Sequence, residues 1–402
     1  MKYIRTYDTE ERFLADKDDN SRGFRLKPVL YKYSEARDHI HLELDDPRKH
    51  GDSTYMEINL SSDTEFSFYI GNTPDDTQTI RDCKVDWGDG DSGSTRLTAD
   101  DKGFKLSHNY KAGSYSIELY AIEDYSITGD ATNYESLISH PSSIKRVVLS
   151  SGVVNIGAEA FDKCSSLTSI NIPESVTSIG TNAFKDCSSL ISINIPESVT
   201  SIGTNAFFVC SSLTSVYIPE SVTSIGKGAF SNCTSLTSIN IPEGVTSIES
   251  STFIGCPFTS IHIPESVTSI GGYAFYNCKS LKSTNIPEGV TSIRDMTFYN
   301  CSSLTSVNIP EGVTSIQMYA FYKCAFTSIR IPEGVTRIRE HVFEKCSSLT
   351  SISSLNPTAP TLGSGAFSDL PTNGTLYIKP GATGYDAWLN ALPSGWKIVE
   401  SL

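Results

Sequence analysis

No stretch of this 402-residue chain approaches the roughly 18 consecutive apolar residues of a membrane-spanning helix, so no membrane insertion is expected. Positive charge is scarce. Lys and Arg together number 32 against 46 Asp and Glu, and the net charge of -14 argues against nucleic acid as a partner. Charged residues make up only 19% of the chain, too few for a charge-driven disordered protein. Histidine is rare, at seven copies. The G-x-S-x-G elbow, the G-x-x-x-x-G-K-[ST] phosphate loop and the H-E-x-x-H helix are all missing. A serine nucleophile would therefore have no base in view, and the chain is not expected to be an enzyme or to carry a cofactor. Ten cysteines are present, yet none is paired at CxxC spacing, which removes zinc as their reason. The opening Met1-Lys2-Tyr3-Ile4-Arg5 lacks the basic-then-apolar-then-small pattern of a secretory signal.

What is abundant is repetition. Cys164, Cys187, Cys210, Cys233, Cys256, Cys278, Cys301, Cys324 and Cys346 follow one another at 22 or 23 residues, and the proline of each Ile-Pro-Glu keeps the same beat. A fixed period in the twenties marks a solenoid in which each repeat is one rung. In residues 167–189 the apolar set is Leu167, Ile170, Ile172, Val176, Ile179, Ala183, Phe184 and Cys187. Ile170 and Ile172 alternate with Ser169 and Asn171, the period of a half-buried strand, and Pro173 ends that strand. A second extended segment covers Val176 to Ile179. One rung cannot bury this set alone; parallel stacking at about 4.8 Å makes it a continuous core. Ten rungs start at Ile144, Leu167, Leu190, Leu213, Leu236, Phe258, Leu281, Leu304, Phe326 and Leu349, with a partial eleventh near Leu376. The two that begin with Phe follow the shortened connections Cys256-Pro257-Phe258 and Cys324-Ala325-Phe326, where a longer side chain refills the space of a deleted residue. Tyr385, Trp388 and Trp396 read as a C-terminal cap over 381–402. The recurring cysteine fits a small buried hydrophobe, and parallel side-chain vectors oppose disulfides between rungs.

The unit LTSINIPESVTSIGTNAFKDCSS resembles the BspA-type leucine-rich repeat of bacterial surface proteins, over about 144–380. The resemblance implies a parallel-strand solenoid on an exported, adhesin-like protein at the cell surface or outside the cell. Its partner would be a protein or a glycan.

Residues 1–140 carry -11 of the net charge and form a different architecture. Runs at 65–70, 82–87 and 114–121 read as strands, and Asp89-Gly90 is a hairpin signal. Val85-Asp86-Trp87-Gly88-Asp89-Gly90, His108-Asn109-Tyr110 and Gly113-Ser114-Tyr115-Ser116-Ile117 resemble the polycystic-kidney-disease type of immunoglobulin-like domain. The expected fold class is therefore mainly β: an immunoglobulin-like sandwich over 1–124, then the solenoid. Within 1–60, runs at 27–33 and 40–44 either complete the sandwich or form a separate leading segment. Residues 125–143, polar and holding Gly129 and Pro141, are expected to link and cap.

Three groups invite a metal reading. Asp16, Asp18 and Asn20 begin like a calcium loop, but Ser21 and Lys27 stand where glycine and the bidentate glutamate belong. Asp86, Asp89 and Asp91 could hold a cation, but an Asp-Gly turn needs no ion and is the preferred reading. His39, His41 and Glu43 share a strand face without a fourth ligand. No metal is expected. Two surface columns carry the binding expectation. The outward strand positions are Asn171, Asn194, Tyr217, Asn240, His262, Asn285, Asn308 and Arg330, of which Tyr217, His262 and Arg330 depart from the asparagine pattern. The other column holds Tyr276, Tyr299 and Tyr322 on successive rungs, with Tyr273 and Tyr319 beside it. Tyrosine suits interfaces because it offers a large ring and a polar tip at low entropy cost, although stacking that shields rung edges would explain the column too. A glutamate column, Glu174 through Glu333, reads either as a charged edge against aggregation or as a row that receives a basic partner or cations. The function expected is a non-enzymatic surface binding protein. A phage or prophage fibre component is the alternative, since the chain starts at Met without a signal pattern, and a carbohydrate-active enzyme would need a paired-carboxylate cleft.

Overall fold

The computed structural model describes residues 3–7, 40–44, 54–71, 83–86, 92–95, 99–100, 103–121, 125–127, 138 and 140–401. Two compact units emerge, Met1–Asp52 and Ser53–Leu402. In the first, strand Tyr3–Tyr7 pairs antiparallel with Ile40–Leu44. The run at 27–33 and the groups around Asp16, Asp89 and His39 lie outside the described residues, as do the side chains of Asp86, His41 and Glu43.

The second unit is mainly β, and its body is a parallel-strand solenoid of about eleven turns. Each rung supplies a short first strand, such as Ser169–Asn171, and a second, such as Ser178–Ile179. The Ala-Phe turn adds a third ladder: Phe184 N–H donates to the Ala206 carbonyl at 2.7 Å, and Phe207 N–H to Ala229 at 2.8 Å. Two left-handed residues bend each turn, Asn182 and Asp186 in the second rung. These side chains tolerate positive φ better than most. The expected inward set is buried in full, from Leu167 to Cys187. Its phenylalanines stack along the axis, with Phe161, Phe184, Phe207 and Phe230 spaced 5.2 to 5.3 Å and nearly parallel. Each cysteine from Cys187 onward gives its Sγ–H to the phenylalanine carbonyl one rung earlier, at 3.1 to 3.3 Å. All nine solenoid cysteines are free and buried. Burial pushes the thiols from Cys187 onward up, to about 12 for Cys233, Cys278 and Cys346, so they are poor nucleophiles at neutral pH.

The strands before the solenoid are bonded onto its first rung. Thr54–Leu60 pairs antiparallel with Ile144–Val148, and Tyr125–Ile127 pairs antiparallel with Thr64–Gly71 and parallel with Val153–Ile156. The stretch read as a linker therefore contributes a strand. Met56, Ile58, Phe66, Tyr110 and Ile117 belong to the same core as Ile144 and Val153. At the other end a short helix, Asp386–Ala391, buries Trp388, and strand Lys397–Glu400 extends the sheet beyond Thr375–Ile378. The rings that close the core keep their polar atoms bonded: Tyr385 Oη donates to the Asn356 carbonyl at 3.0 Å, and Trp388 Nε1 to that of Pro360 at 2.9 Å.

The ladders are interrupted, and the residues say where. Among second strands, pairing stops between Ser224–Ile225 and Ser247–Ile248, and again between Ser269–Ile270 and Ser292–Ile293. The residue after the isoleucine is Gly157, Gly180, Gly203, Gly226, Glu249, Gly271, Arg294, Gln317 and Arg339 in successive rungs. At the glycines the rungs approach too closely for a side chain: a Cβ on Gly203 would meet the Gly180 carbonyl carbon at 2.5 Å, and one on Gly226 the Thr204 nitrogen at 2.5 Å. Glu249 and Arg294 are the two positions where a side chain follows a glycine rung, and those are the two breaks. Once a rung has moved aside, the next side chain is accommodated, and Gln317 N–H again reaches the Ile293 carbonyl at 2.8 Å. First strands lose pairing across both shortened connections, before Ser260–Ile261 and before Ser328–Ile331, and once at a full-length step, between Ser169–Asn171 and Ser192–Asn194.

Candidate functional site

Tyr276, Tyr299 and Tyr322 occupy one position of the Ala-Phe turn in rungs six, seven and eight. The 23-residue step there places ring over ring. Centroids lie 4.8 and 4.5 Å apart with planes within 9°. Tyr319 meets Tyr299 and Tyr322 edge-on at 6.1 and 5.6 Å and stacks on His341 at 4.7 Å. Tyr273 leans on Tyr276 at 5.7 Å. The structure thus brings the five tyrosines into one ribbon. It corrects one expectation: only Tyr273, at 38%, is exposed, and the others are half-buried because neighbours cover their faces. Lys345 closes the far end, its Nζ donating to Tyr322 Oη at 2.9 Å and lying 5.3 Å from the ring centre. Burial first, then the adjacent Tyr322 and Tyr276, raises the Tyr299 phenol above its usual range.

Tyr273 and Tyr319 also carry backbone cost. Their φ values are 61° and 56°, at the position that Glu159, Asn182, Asn205, Gly228, Ser251, Met296 and His341 fill in other rungs. A bulky residue held left-handed costs roughly 1–2 kcal/mol, a cost that the turn geometry imposes on every rung.

Tyr217, His262 and Arg330 are exposed on the first-strand face, in rungs four, six and nine, and do not join the ribbon. Arg330 is engaged by Glu311. Two members of that face were misread. Asn240 and Asn285 turn along the ladder, each gripping the backbone of the preceding rung: Asn240 Nδ2 donates to the Ile218 carbonyl at 2.6 Å while Oδ1 accepts from Ile218 N–H at 2.8 Å, and Asn285 does the same at Ile263. The glutamate column is exposed, and Glu333 takes Lys379 at 2.7 Å.

Sequence reasoning missed a groove. About 570 Å³ in volume and open to solvent, it crosses both second-strand breaks and is lined by Lys227, Ser250, Tyr273, Arg294, Asp295 and Gln317 among others. The sequence carries its trace only as departures from glycine at this rung position, Glu249 and Arg294, which gain meaning from the close approach of the rungs.

At its N-terminal end the tyrosine column starts with a buried acid. Asp162 is 1% exposed, with Lys163 Nζ at 3.6 Å and Lys185 Nζ at 3.8 Å. Burial pushes its carboxyl above the ordinary 3.8, against the pull of Lys185 and Lys163. The folded chain therefore holds this proton more tightly than the unfolded one, and the site's contribution to stability falls as pH rises from about 4 through the raised value. Asp162→Asn is expected to stabilise by on the order of 1 kcal/mol at pH 7 and to lose that pH slope, which calorimetry at pH 4 and pH 7 would show. A variant less stable at pH 7 would mean that the two lysines outweigh burial.

The BspA type Leucine rich repeat region model matches residues 134–259 and 268–381 in six copies. No curated protein matches the chain. Solved structures similar to it include a leucine-rich repeat protein from Bacteroides ovatus, 26% identical, covering 72% of this chain and 90% of that one with a TM-score of 0.37. A leucine rich cell surface protein from Faecalibacterium prausnitzii is 26% identical, covering 75% and 98%, TM-score 0.34. A T. pallidum leucine-rich repeat protein is 29% identical, covering 50% and 82%, TM-score 0.34. With the family model matched over more than half its length, the chain belongs to the BspA-type leucine-rich repeat family.

Proposed function

We propose that this protein is a non-enzymatic, adhesin-like binding protein of the cell surface or exterior, which contacts a protein or glycan through its solenoid. The observation that carries the reading is the tyrosine ribbon on rungs six to eight. The family supports a binding scaffold. The region before the solenoid, with its likeness to polycystic-kidney-disease modules, would serve as a spacer.

The test is an array of glycans and host-matrix proteins probed with the full chain. Tyr276→Ala with Tyr299→Ala is expected to weaken binding by about 2 kcal/mol or more, the scale of interface hot spots. Thermal stability should fall as well, by about 2–6 kcal/mol, since four ring contacts are lost at about 0.5–1.5 kcal/mol each, so binding is to be measured where melting curves show the variant folded. Unchanged binding with a large stability loss would make the ribbon a packing device and move the site to the face bearing Tyr217, His262 and Arg330.

A further inference from the structure

We infer that the groove across rungs four to eight is a binding site for an acidic glycan, a saccharide carrying carboxylate or sulfate groups; this rests on the binding function proposed above and specifies its ligand. The chain is strongly acidic, yet Lys227 and Arg294 both face this groove, exposed and without an ion-pair or side-chain hydrogen-bond partner among the described residues. An arginine fork suits planar, charge-assisted recognition of a carboxylate or sulfate. Arg294 is also the side chain that breaks the ladder. Arg294 thus supplies one of the two charges and one of the two breaks, the other break lying at Glu249.

The rest of the lining fits a saccharide. Tyr273 is the most exposed of the ribbon tyrosines, at 38%, and its flat face suits the C–H side of a pyranose. Ser250 and Gln317 offer hydroxyl and amide groups to sugar hydroxyls, as a small-ligand site needs a few placed polar groups. Asp295 Oδ1 accepts from Met318 N–H at 3.0 Å, which leaves Oδ2 for a ligand hydroxyl. The volume, about 570 Å³, lies within the about 300–1,000 Å³ of small-ligand sites, enough for a segment of oligosaccharide.

The experiment is a glycan array of uronate-containing, sialylated and sulfated saccharides beside neutral counterparts, with the host-matrix proteins on the same slide. The full chain should bind at least one acidic glycan and lose it when its charge is removed or when salt is raised. Arg294→Ala and Lys227→Ala should each cut that affinity roughly tenfold or more, as expected for a lost charge-assisted bond. They sit in different rungs, and Arg294→Ala keeps the Cβ that opens the ladder, so a shared loss would not be a folding defect; melting curves of both variants check this. Binding confined to neutral glycans, no glycan binding, or affinities unmoved by both variants would overturn the assignment. A blank glycan field beside matrix-protein binding that depends on Tyr276 and Tyr299 would remove this inference and leave the proposed function standing, whereas two blank fields would remove both.

Discussion

Phe207→Ala is expected to cost about 3–5 kcal/mol of unfolding free energy, the largest effect of any single truncation considered. The ring is fully buried between Phe184 and Phe230, with centroids 5.3 and 5.2 Å away and planes within 8°. Its removal leaves a hole that cannot collapse, because the backbone on both sides is fixed by ladders: Phe207 N–H donates to Ala229, and the Phe207 carbonyl accepts the Cys233 thiol at 3.1 Å. In a stacked array the loss falls on two interfaces, each with one neighbour. Rung three lies well before the tyrosine ribbon, so ligand binding by the folded variant should be unchanged. Denaturant unfolding followed by circular dichroism is the measurement; a loss below about 1 kcal/mol would show that neighbouring rungs close the gap.

Gly203→Ala should destabilise by about 1–3 kcal/mol, although it adds a single methyl group. Alanine is ordinarily the better residue away from positive φ, so the sign depends wholly on the contact. The new Cβ would sit 2.5 Å from the Gly180 carbonyl carbon and 2.6 Å from the Thr181 nitrogen, both backbone atoms that cannot rotate away. The rung would have to withdraw and give up the bond from Gly203 N–H to the Ile179 carbonyl, now 2.7 Å. The breaks at Glu249 and Arg294 show this response in the native chain. Gly312→Ala is the control: its Cβ would lie 3.4 Å from the nearest atom, ordinary contact, and it should be neutral or slightly stabilising. Equal melting temperatures for the two variants would refute the close-approach explanation of the breaks.

Much of this fold is legible in one rung. The alternation of Ile170 and Ile172, the stop at Pro173 and the Phe184–Cys187 spacing name the buried set because the period leaves only one way to stack them. The cap was legible for a similar reason, since Tyr385, Trp388 and Trp396 follow the last repeat with nothing else to cover it. Asn240 and Asn285 were not legible. They look identical to Asn171 and Asn194, and what they do depends on where the neighbouring rung's backbone lies. The pairing of Thr54–Leu60 with Ile144–Val148 was hidden because it joins segments far apart in sequence. The groove was hidden differently: Arg294 is unremarkable as a surface arginine, and becomes informative only against the close approach of successive rungs at glycines such as Gly203 and Gly226.

The direction of that misfit has an evolutionary consequence. A break forms where a side chain follows glycine, and not where one side chain follows another, as Gln317 follows Arg294. Copying residues 281–303 in tandem would therefore lengthen the array silently, with an arginine behind an arginine. Copying 258–303 as a block would place a second glycine before a second arginine and create another opening of the same kind. Recombination among near-identical repeats could thus change how many recesses the protein presents, without a single point mutation, simply by changing the order in which its rungs are read.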